Sequence, residues 1–306
     1  MPSIAAISTY LPGTQVPIED LGPKLGLTEM QVKVFRRYHK LGLVRRDPDS
    51  SLLDLLRGAL SRLDGWRGRE QHVRYVLYAR TIPVIVPYPM NPLHELCAEF
   101  GLGHAEAFTV THQACASGLQ ALDLAGRLVC ADADPEALAI VLAGEKSFTI
   151  EAELIPETSF FGEGASACVV RAHGERDTQV SYYALLRGDL DGESDAEFQR
   201  QYADLLADAV QGAIERAGLA VADIALILPH NVNVIAWRRV CRRLDFPLER
   251  VVLDNIATQA HIFCADAFIN YQTAVETGRL KRGDRYVLAA AGQGPAGTFS
   301  AMVFEH

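Results

Sequence analysis

Residues 110–128 read VTHQACASGLQALDLAGRL. This is a strand end, a tight turn and then an amphipathic helix. A strand turning directly into a helix is the repeating unit of an α/β fold. Cys115 falls at the turn. There its thiol meets unpaired backbone N–H groups and the positive end of the helix dipole, and both favour the nucleophilic thiolate. Ala116, Ser117 and Gly118 are small and let another group approach closely. Most buried cysteines are inert apolar residues. The strand–turn–helix setting instead marks Cys115 as a nucleophile for covalent catalysis.

Outward from this stretch the pattern keeps alternating. On the N-terminal side the sequence predicts a strand over 4–10 and helices over 17–25 and 28–41, the second capped by Thr28. A helix over 51–63, a strand over 73–79 and a helix over 92–100 follow. The loop 83–92 holds four prolines with Ile85, Tyr88 and Met90, which suits a stiff wall beside a pocket. On the C-terminal side strands are expected over 137–143, 182–188, 224–228, 251–253, 286–291 and 299–304. A loop at Phe160 runs into a further strand ending near Val170, and residues 174–180 read as a polar, irregular junction. Helices are expected over 196–217, 234–244 and 265–277.

The alternation predicts an α/β fold. A helix ending in Gly-Arg-Leu, a polar turn and an apolar strand ending in Ala-Gly occurs at 126–144 and again at 278–292. That echo argues for a duplication, with residues 1–173 carrying the cysteine and 174–306 carrying the candidate histidines.

The chain has 306 residues, 49% of them hydrophobic, enough for one large core or two fused halves. A net charge of −9 without a long basic run argues against a nucleic-acid partner. The six cysteines show no C-x-x-C spacing and no cysteine–histidine cluster, so no metal is expected and a reduced, cytoplasmic protein fits best. The N-terminus does not read as a signal peptide, and no apolar run is long enough for a membrane span.

The second half supplies titratable partners. His230 follows an apolar strand, at the end where α/β sheets carry their ligand sites, and imidazole titrates near neutrality. An ordinary loop histidine bonded to backbone is the competing reading. His261 precedes the helix over 265–277, with Asp266 five residues on. Asp266 can orient the imidazole as the third member of a nucleophile–base–acid set, or it can simply favour the helix start. The loop 292–297, with Gly294 and Gly297, offers backbone N–H groups for an oxyanion. It lacks the strand-to-helix context of a dinucleotide fingerprint, which excludes a nicotinamide cofactor. Arg36 and Arg37, with Lys40, Arg45 and Arg46, either meet phosphates at a pocket entrance or form a solvated basic face.

Along nearly its whole length the chain resembles the ketoacyl synthase III-like branch of the thiolase superfamily. The residues that carry the likeness are Tyr10-Leu-Pro12 with Ile18-Glu-Asp-Leu21, Ala114-Cys-Ala-Ser-Gly118 and Phe161-Gly-Glu-Gly-Ala165. In the second half they are Pro229-His-Asn-Val-Asn233, Gly278-Arg-Leu-Lys-Arg-Gly283 and Gly292–Gly297. The resemblance implies a five-layered αβαβα fold of two duplicated halves, a homodimer, and an acyl group carried as a thioester on Cys115. It implies a substrate site bordered by Asn233, Phe161, Gly294 and Gly297. The donor would be acyl-CoA or a phosphopantetheinyl acyl-carrier protein, with no permanently bound cofactor.

Condensing members of that branch usually place an asparagine in an Asn-Thr-Ser-Ala-like loop, and His261 occupies that place here. Some relatives with a histidine supported by an aspartate resemble acyltransferases that pass the acyl group to an oxygen or nitrogen nucleophile. Elongating ketosynthases also use two histidines with the cysteine, so His261 is compatible with both chemistries. An imidazole held by a carboxylate is a good general base for transfer to such a nucleophile. Decarboxylative condensation with a malonyl thioester needs neutral donors around an enolate instead. The sequence therefore favours an acyltransferase acting on a small-molecule acceptor in secondary metabolism. A ketosynthase is the alternative. A non-catalytic partner subunit ranks third, because Cys115 and both histidines are present.

Overall fold

The computed structural model describes residues 1–87, 89–149, 152–190, 195–294 and 296–306. In the first half, strand β1 (Ser3–Tyr10) leads into β2 (Gln15–Pro17) and the short helices α1 (Ile18–Leu21) and α2 (Glu29–Val34). Next come β3 (Leu43–Arg45), α3 (Leu52–Ser61), β4 (Val73–Ala79), α4 (Pro92–Glu99) and β5 (Glu106–Val110). Then follow α5 (Ser117–Ala131), β6 (Leu138–Glu145), the small hairpin β7 (Leu154–Ile155) and β8 (Ser159–Phe160), and β9 (Gly164–Arg171). The second half contains β10 (Thr178–Arg187), α6 (Asp195–Arg216), β11 (Ile224–Pro229) and α7 (Val234–Leu244). It ends with α8 (Ile256–Gln259), α9 (Asp266–Glu276), β12 (Arg285–Gly292) and β13 (Gly297–Glu305).

Nine strands form the large sheet, in the order β11-β12-β13-β10-β1-β9-β6-β4-β5. β1 and β10 meet at its middle through the pair Ser3 and Thr178. Moving outward from β1, the neighbours β9, β6, β4 and β5 run antiparallel, antiparallel, parallel and parallel, each to the one before. Moving outward from β10, the neighbours β13, β12 and β11 repeat that sequence, and Val251 bridges Ile227 in parallel where a fifth strand would stand. The two halves therefore share one topology. β6 is buried along its whole length, as expected of a strand covered on both faces.

The layers follow from where the apolar stripes face. α3 and α4 cover the outer face of the first-half strands through Leu55, Leu56 and Leu96. α6 and α7 cover the second-half strands through Leu206, Val210 and Trp237. Between the two sets of strands, Leu119 and Leu122 of α5 pack with Phe268 and Ile269 of α9. That makes a thiolase-like αβαβα arrangement. The small residues of α5 allow the close approach: a side chain at Gly118 would lie 2.7 Å from the Cys264 carbonyl oxygen.

Several expected elements shift at their ends. Thr28 does cap α2, with Gln31 completing a capping box, but the α-helix stops at Val34. It continues as a π-turn over Phe35–His39 that ends at Lys40 with φ 66°. The junction at 174–180 is shorter than expected, because β10 already begins at Thr178. Asp177 (φ 50°) makes the turn before it and accepts hydrogen bonds from Tyr271, Tyr286 and His306. The Gly-Arg-Leu echo is not structurally equivalent in the two halves. Gly278 ends its helix at φ 67°, whereas Gly126 lies inside α5 against Pro2. The duplication is carried by strand order instead. The loop 83–92 is irregular over its described residues, and Tyr88 lies outside them.

Candidate active site

Cys115 stands in the middle of a 3₁₀ turn, Ala114–Ala116, directly before α5. The chain leaves β5 through His112 and Ala114, both at positive φ (72° and 45°), a region costly for residues with a Cβ. This tight elbow lifts the sulfur to the carboxyl end of the parallel strands, where α/β sheets carry their sites. The end of β12 crosses just above it. A side chain at Gly292 would lie 2.3 Å from the Gln113 carbonyl oxygen and 2.9 Å from the Cys115 nitrogen, so only glycine fits. Cys115 is 8% exposed.

His261 reaches Cys115 from the second half. Backbone hydrogen bonds with Phe160 (3.1 Å) and Gly162 (2.8 Å) tie its chain to the first half. Its Nε2 lies 3.0 Å from Cys115 Sγ, and its Nδ1 is hydrogen-bonded to Asp266 Oδ2. Asp266 opens α9, and its carboxylate also accepts the backbone N–H groups of Asn231 (2.5 Å) and Ile262 (2.7 Å). Asn231 accepts in turn from Asn270, and Asn270 from Asn255. The carboxylate is thus fixed from several sides in a buried amide network. Burial acts to keep the His261 imidazole neutral, but the Cys115 sulfur and the Asp266 carboxylate together push it up to about 10.

His230 follows β11 on the same side, 5.8 Å from His261 between ring centres. Tyr202 OH lies 2.6 Å from its Nε2, and Trp237 Nε1 donates to its carbonyl oxygen. Burial, and then the charge on His261, bring its pKa down to about 3, so it is a neutral imidazole.

These groups open onto a cavity of about 310 Å³ walled by Cys115, Phe161, Tyr202, His230, His261 and Gly292, among others. Phe161 stacks on Phe263 at 4.3 Å and lies beside His261. Of the other residues expected at the substrate site, Gly294 lies against Ala114 and the His112 carbonyl, close to the elbow. Gly297 packs against Leu190. Asn233 caps α7 and donates to the Thr158 carbonyl oxygen, so it braces the wall and does not line it. Arg36 is paired with Glu19 at 2.6 Å and, with Arg37, borders a separate surface groove.

Sequence reasoning missed Thr81, Cys264, Glu145 and Tyr202 around the site. Thr81 Oγ1 lies 3.5 Å from Cys115 Sγ and 3.3 Å from Cys264 Sγ. Glu145 holds the Thr81 and Ile82 amides at 2.6 and 2.8 Å, and burial pushes its carboxyl up to about 7. Thr81 and Glu145 stand at the carboxyl ends of β4 and β6, which was the available signal. Tyr202 gave none, since an aromatic on a helix reads as core. Among the described residues no group of histidine, cysteine and carboxylate side chains is arranged to hold a metal. Among them, too, no helix is long and apolar enough to cross a membrane.

A thiolase-like α/β fold with a buried cysteine, histidine and aspartate in one hydrogen-bonded line defines the class. Residues 214–305 match the family model of the 3-oxoacyl-[acyl-carrier-protein] synthase III C-terminal region. A β-ketoacyl-[acyl-carrier-protein] synthase III of Erythrobacter litoralis is 28% identical over 174 residues, 56% of this chain and 51% of that protein. The chain thus spans about half the length of that relative. The solved structure of ChlB3, an acyltransferase, superposes with a TM-score of 0.85 at 20% identity, covering 99% of this chain and 97% of ChlB3. The 3-oxoacyl-[acyl-carrier-protein] synthase III of Aquifex aeolicus superposes at 0.84 with 19% identity over the whole of both chains. The chain is thus similar to ketoacyl synthase III over its C-terminal part, and its fold as a whole is the thiolase-like fold of ketoacyl synthase III-type proteins.

Proposed function

We propose that this chain is an acyltransferase, with Cys115 as the nucleophile that takes an acyl group from a CoA or carrier-protein thioester. His261 then activates an oxygen or nitrogen nucleophile of a small-molecule acceptor, in secondary metabolism. The observation that carries the reading is the buried line from Cys115 Sγ through His261 to Asp266. In loading, Sγ attacks the thioester carbonyl, and the donor thiol leaves with the proton from His261 Nε2. Acylation removes the sulfur's influence on His261, which has given up its proton, keeps only Asp266 as its charged partner and is free to accept the acceptor's proton. The acceptor's proton passes to Nε2 as its oxygen or nitrogen attacks, and the same proton returns to Sγ as the thioester bond breaks. Asp266 holds the tautomer and orientation. The halves meet at this line, so residues 1–173 supply the nucleophile and 174–306 the base. We take the working form to be a cytoplasmic homodimer.

The relatives support a second reading. They carry the name β-ketoacyl synthase III, which favours decarboxylative condensation with a malonyl thioester. The Asp266 carboxylate on His261 Nδ1 speaks against it, because it makes that imidazole a base, whereas condensation calls for a fixed neutral donor in its place. A non-catalytic partner subunit would not need the Cys115–His261 contact. Intact-mass spectrometry after incubation with a panel of acyl thioesters separates the readings. Wild type should gain the acyl mass and Cys115→Ala should not. His261→Ala should still load but pass the group on about 10³-fold more slowly, and Asp266→Asn should lose transfer by a smaller factor. A β-keto product and carbon dioxide, with no ester or amide from any acceptor tested, would assign the ketosynthase. No loading at all would leave the partner subunit.

A further inference from the structure

We infer that Tyr202 is a catalytic residue: its hydroxyl, aimed by His230, donates to the acyl carbonyl oxygen as that oxygen becomes an oxyanion. The inference rests on the acyl-enzyme reading above, and it starts from a question of proton placement. Neutral His230 has one N–H to place on two nitrogens. Its Nδ1 is buried without a well-formed hydrogen bond. The nearby Ala289 carbonyl already accepts the His230 backbone N–H at 3.0 Å. Its Nε2 faces the Tyr202 oxygen at 2.6 Å. A proton on Nδ1 would have only the poorly formed contact with the Ala289 carbonyl, whereas a proton on Nε2 meets the Tyr202 oxygen at 2.6 Å and leaves only a lone pair on Nδ1. The geometry therefore assigns the proton to Nε2, which donates to Tyr202. The phenol proton is then left for donation elsewhere.

Tyr202 lines the same cavity as Cys115. Phe198 and Phe299 hold its ring edge-on at 5.9 and 6.2 Å between centres, so the hydroxyl is delivered on a fixed arm. Burial, with the nearby Cys115 and Asp266 charges, drives the phenol pKa well above its ordinary value, so the group keeps its proton. When Sγ or the acceptor attacks, negative charge gathers on the carbonyl oxygen. A preorganised neutral donor stabilises that charge without giving up its proton. When the intermediate collapses, the electron pair returns to the carbonyl and expels the sulfur, and Tyr202 is unchanged. His230 is then a positioning residue that acts through Tyr202.

The test is Tyr202→Phe, followed by rapid-quench intact-mass measurement of Cys115 loading from acetyl-, malonyl- and octanoyl-CoA. The loading rate at saturation should fall about 10²–10³-fold, with little change in KM. Alkylation of Cys115 by iodoacetamide forms no oxyanion and should be unaffected. His230→Ala should cost far less in the Tyr202→Phe background than in wild type, because the two residues form one device. Additive losses, or a Tyr202→Phe rate within about threefold of wild type, would overturn the inference. Nitrogen-15 NMR of the unliganded protein, with His230 assigned by comparison with His230→Gln, should report the Nε2–H tautomer. An Nδ1–H signal would defeat the inference and leave the acyl-enzyme reading standing. A wild type that loads none of the three thioesters would overturn both.

Discussion

The site's chemistry rests on how burial and charge divide two imidazoles. His261 lies between the Cys115 sulfur and a carboxylate and is held as the imidazolium, while His230, 5.8 Å away, is held neutral. Pairs of titratable groups pushed apart in this way are the usual mark of assigned roles. The His230 shift has a consequence for stability. Its folded pKa of about 3 lies below its ordinary value of 6.5, so below about pH 6.5 the unfolded chain takes up a proton that the folded chain refuses. The stabilisation is therefore present above pH 6.5 and is lost as the pH falls from there toward 3. Urea unfolding at pH 7, 6 and 5 should show wild type losing stability faster than His230→Gln, by up to about 1.4 kcal/mol per pH unit. Equal slopes would mean that His230 is not held neutral. At this scale the sequence was partly legible. Cys115, His261 and Asp266 announced themselves by residue type and by position before helices. Tyr202 and Thr81 did not, because their roles come from contacts made 28 and 34 residues away along the chain.

Among the elements, the decisive one is the elbow between β5 and α5, and it is built jointly by both halves. Its two positive-φ residues are held under the end of β12, where Gly292 leaves no space for a methyl group. The atoms it would strike are the Gln113 carbonyl oxygen, the Cys115 nitrogen and the Ala114 Cβ, none of which yields as the end of a flexible side chain would. Gly292→Ala should thus cost about 1–3 kcal/mol by overpacking and should displace Cys115 from His261. Thermal melting together with the rate of iodoacetamide reaction at Cys115 checks this. A variant with unchanged melting and unchanged thiol reactivity would show that the crossing is looser than the geometry indicates. The strand–turn–helix sequence made the elbow readable, since small residues bracket a cysteine there. The strained φ of His112 and Ala114 was not readable, because neither residue type advertises it. The π-turn over Phe35–His39 was hidden for a similar reason: its apolar spacing differs little from that of an α-helix.

At the scale of the whole molecule, one edge bears on the proposed homodimer and one seam joins the two halves. Among the described residues β5 is an outer strand of the sheet, paired only with β4. Its Thr109 shares a surface cavity with Val84 and Met90, which are 79% and 55% exposed. An open edge flanked by exposed apolar side chains invites a partner strand. Light scattering should therefore give about twice the 33.5 kDa chain mass at micromolar concentration, and Val84→Lys with Met90→Lys should shift the mass toward one chain. A monomer in wild type would count against the homodimer.

The seam between the halves makes a stronger demand. Sequence reasoning reached the duplication through an echo whose two copies stand in different places, yet the shared strand order carries the same conclusion. Separate cores cover the outer faces, but the central core is common property: Leu77 and Leu122 of the first half pack in one cluster with Phe268 and Leu288 of the second. A half alone would expose that whole inner face to water, a cost that its outer helices cannot offset. A fragment of residues 1–173 expressed by itself should thus lack a cooperative thermal transition by circular dichroism. Co-expression with residues 174–306 should restore both the transition and the reactivity of Cys115. If residues 1–173 alone melt cooperatively as a soluble species, the halves are independent domains, and the contact of Cys115 with His261 must then be maintained by docking of finished units rather than by a shared core.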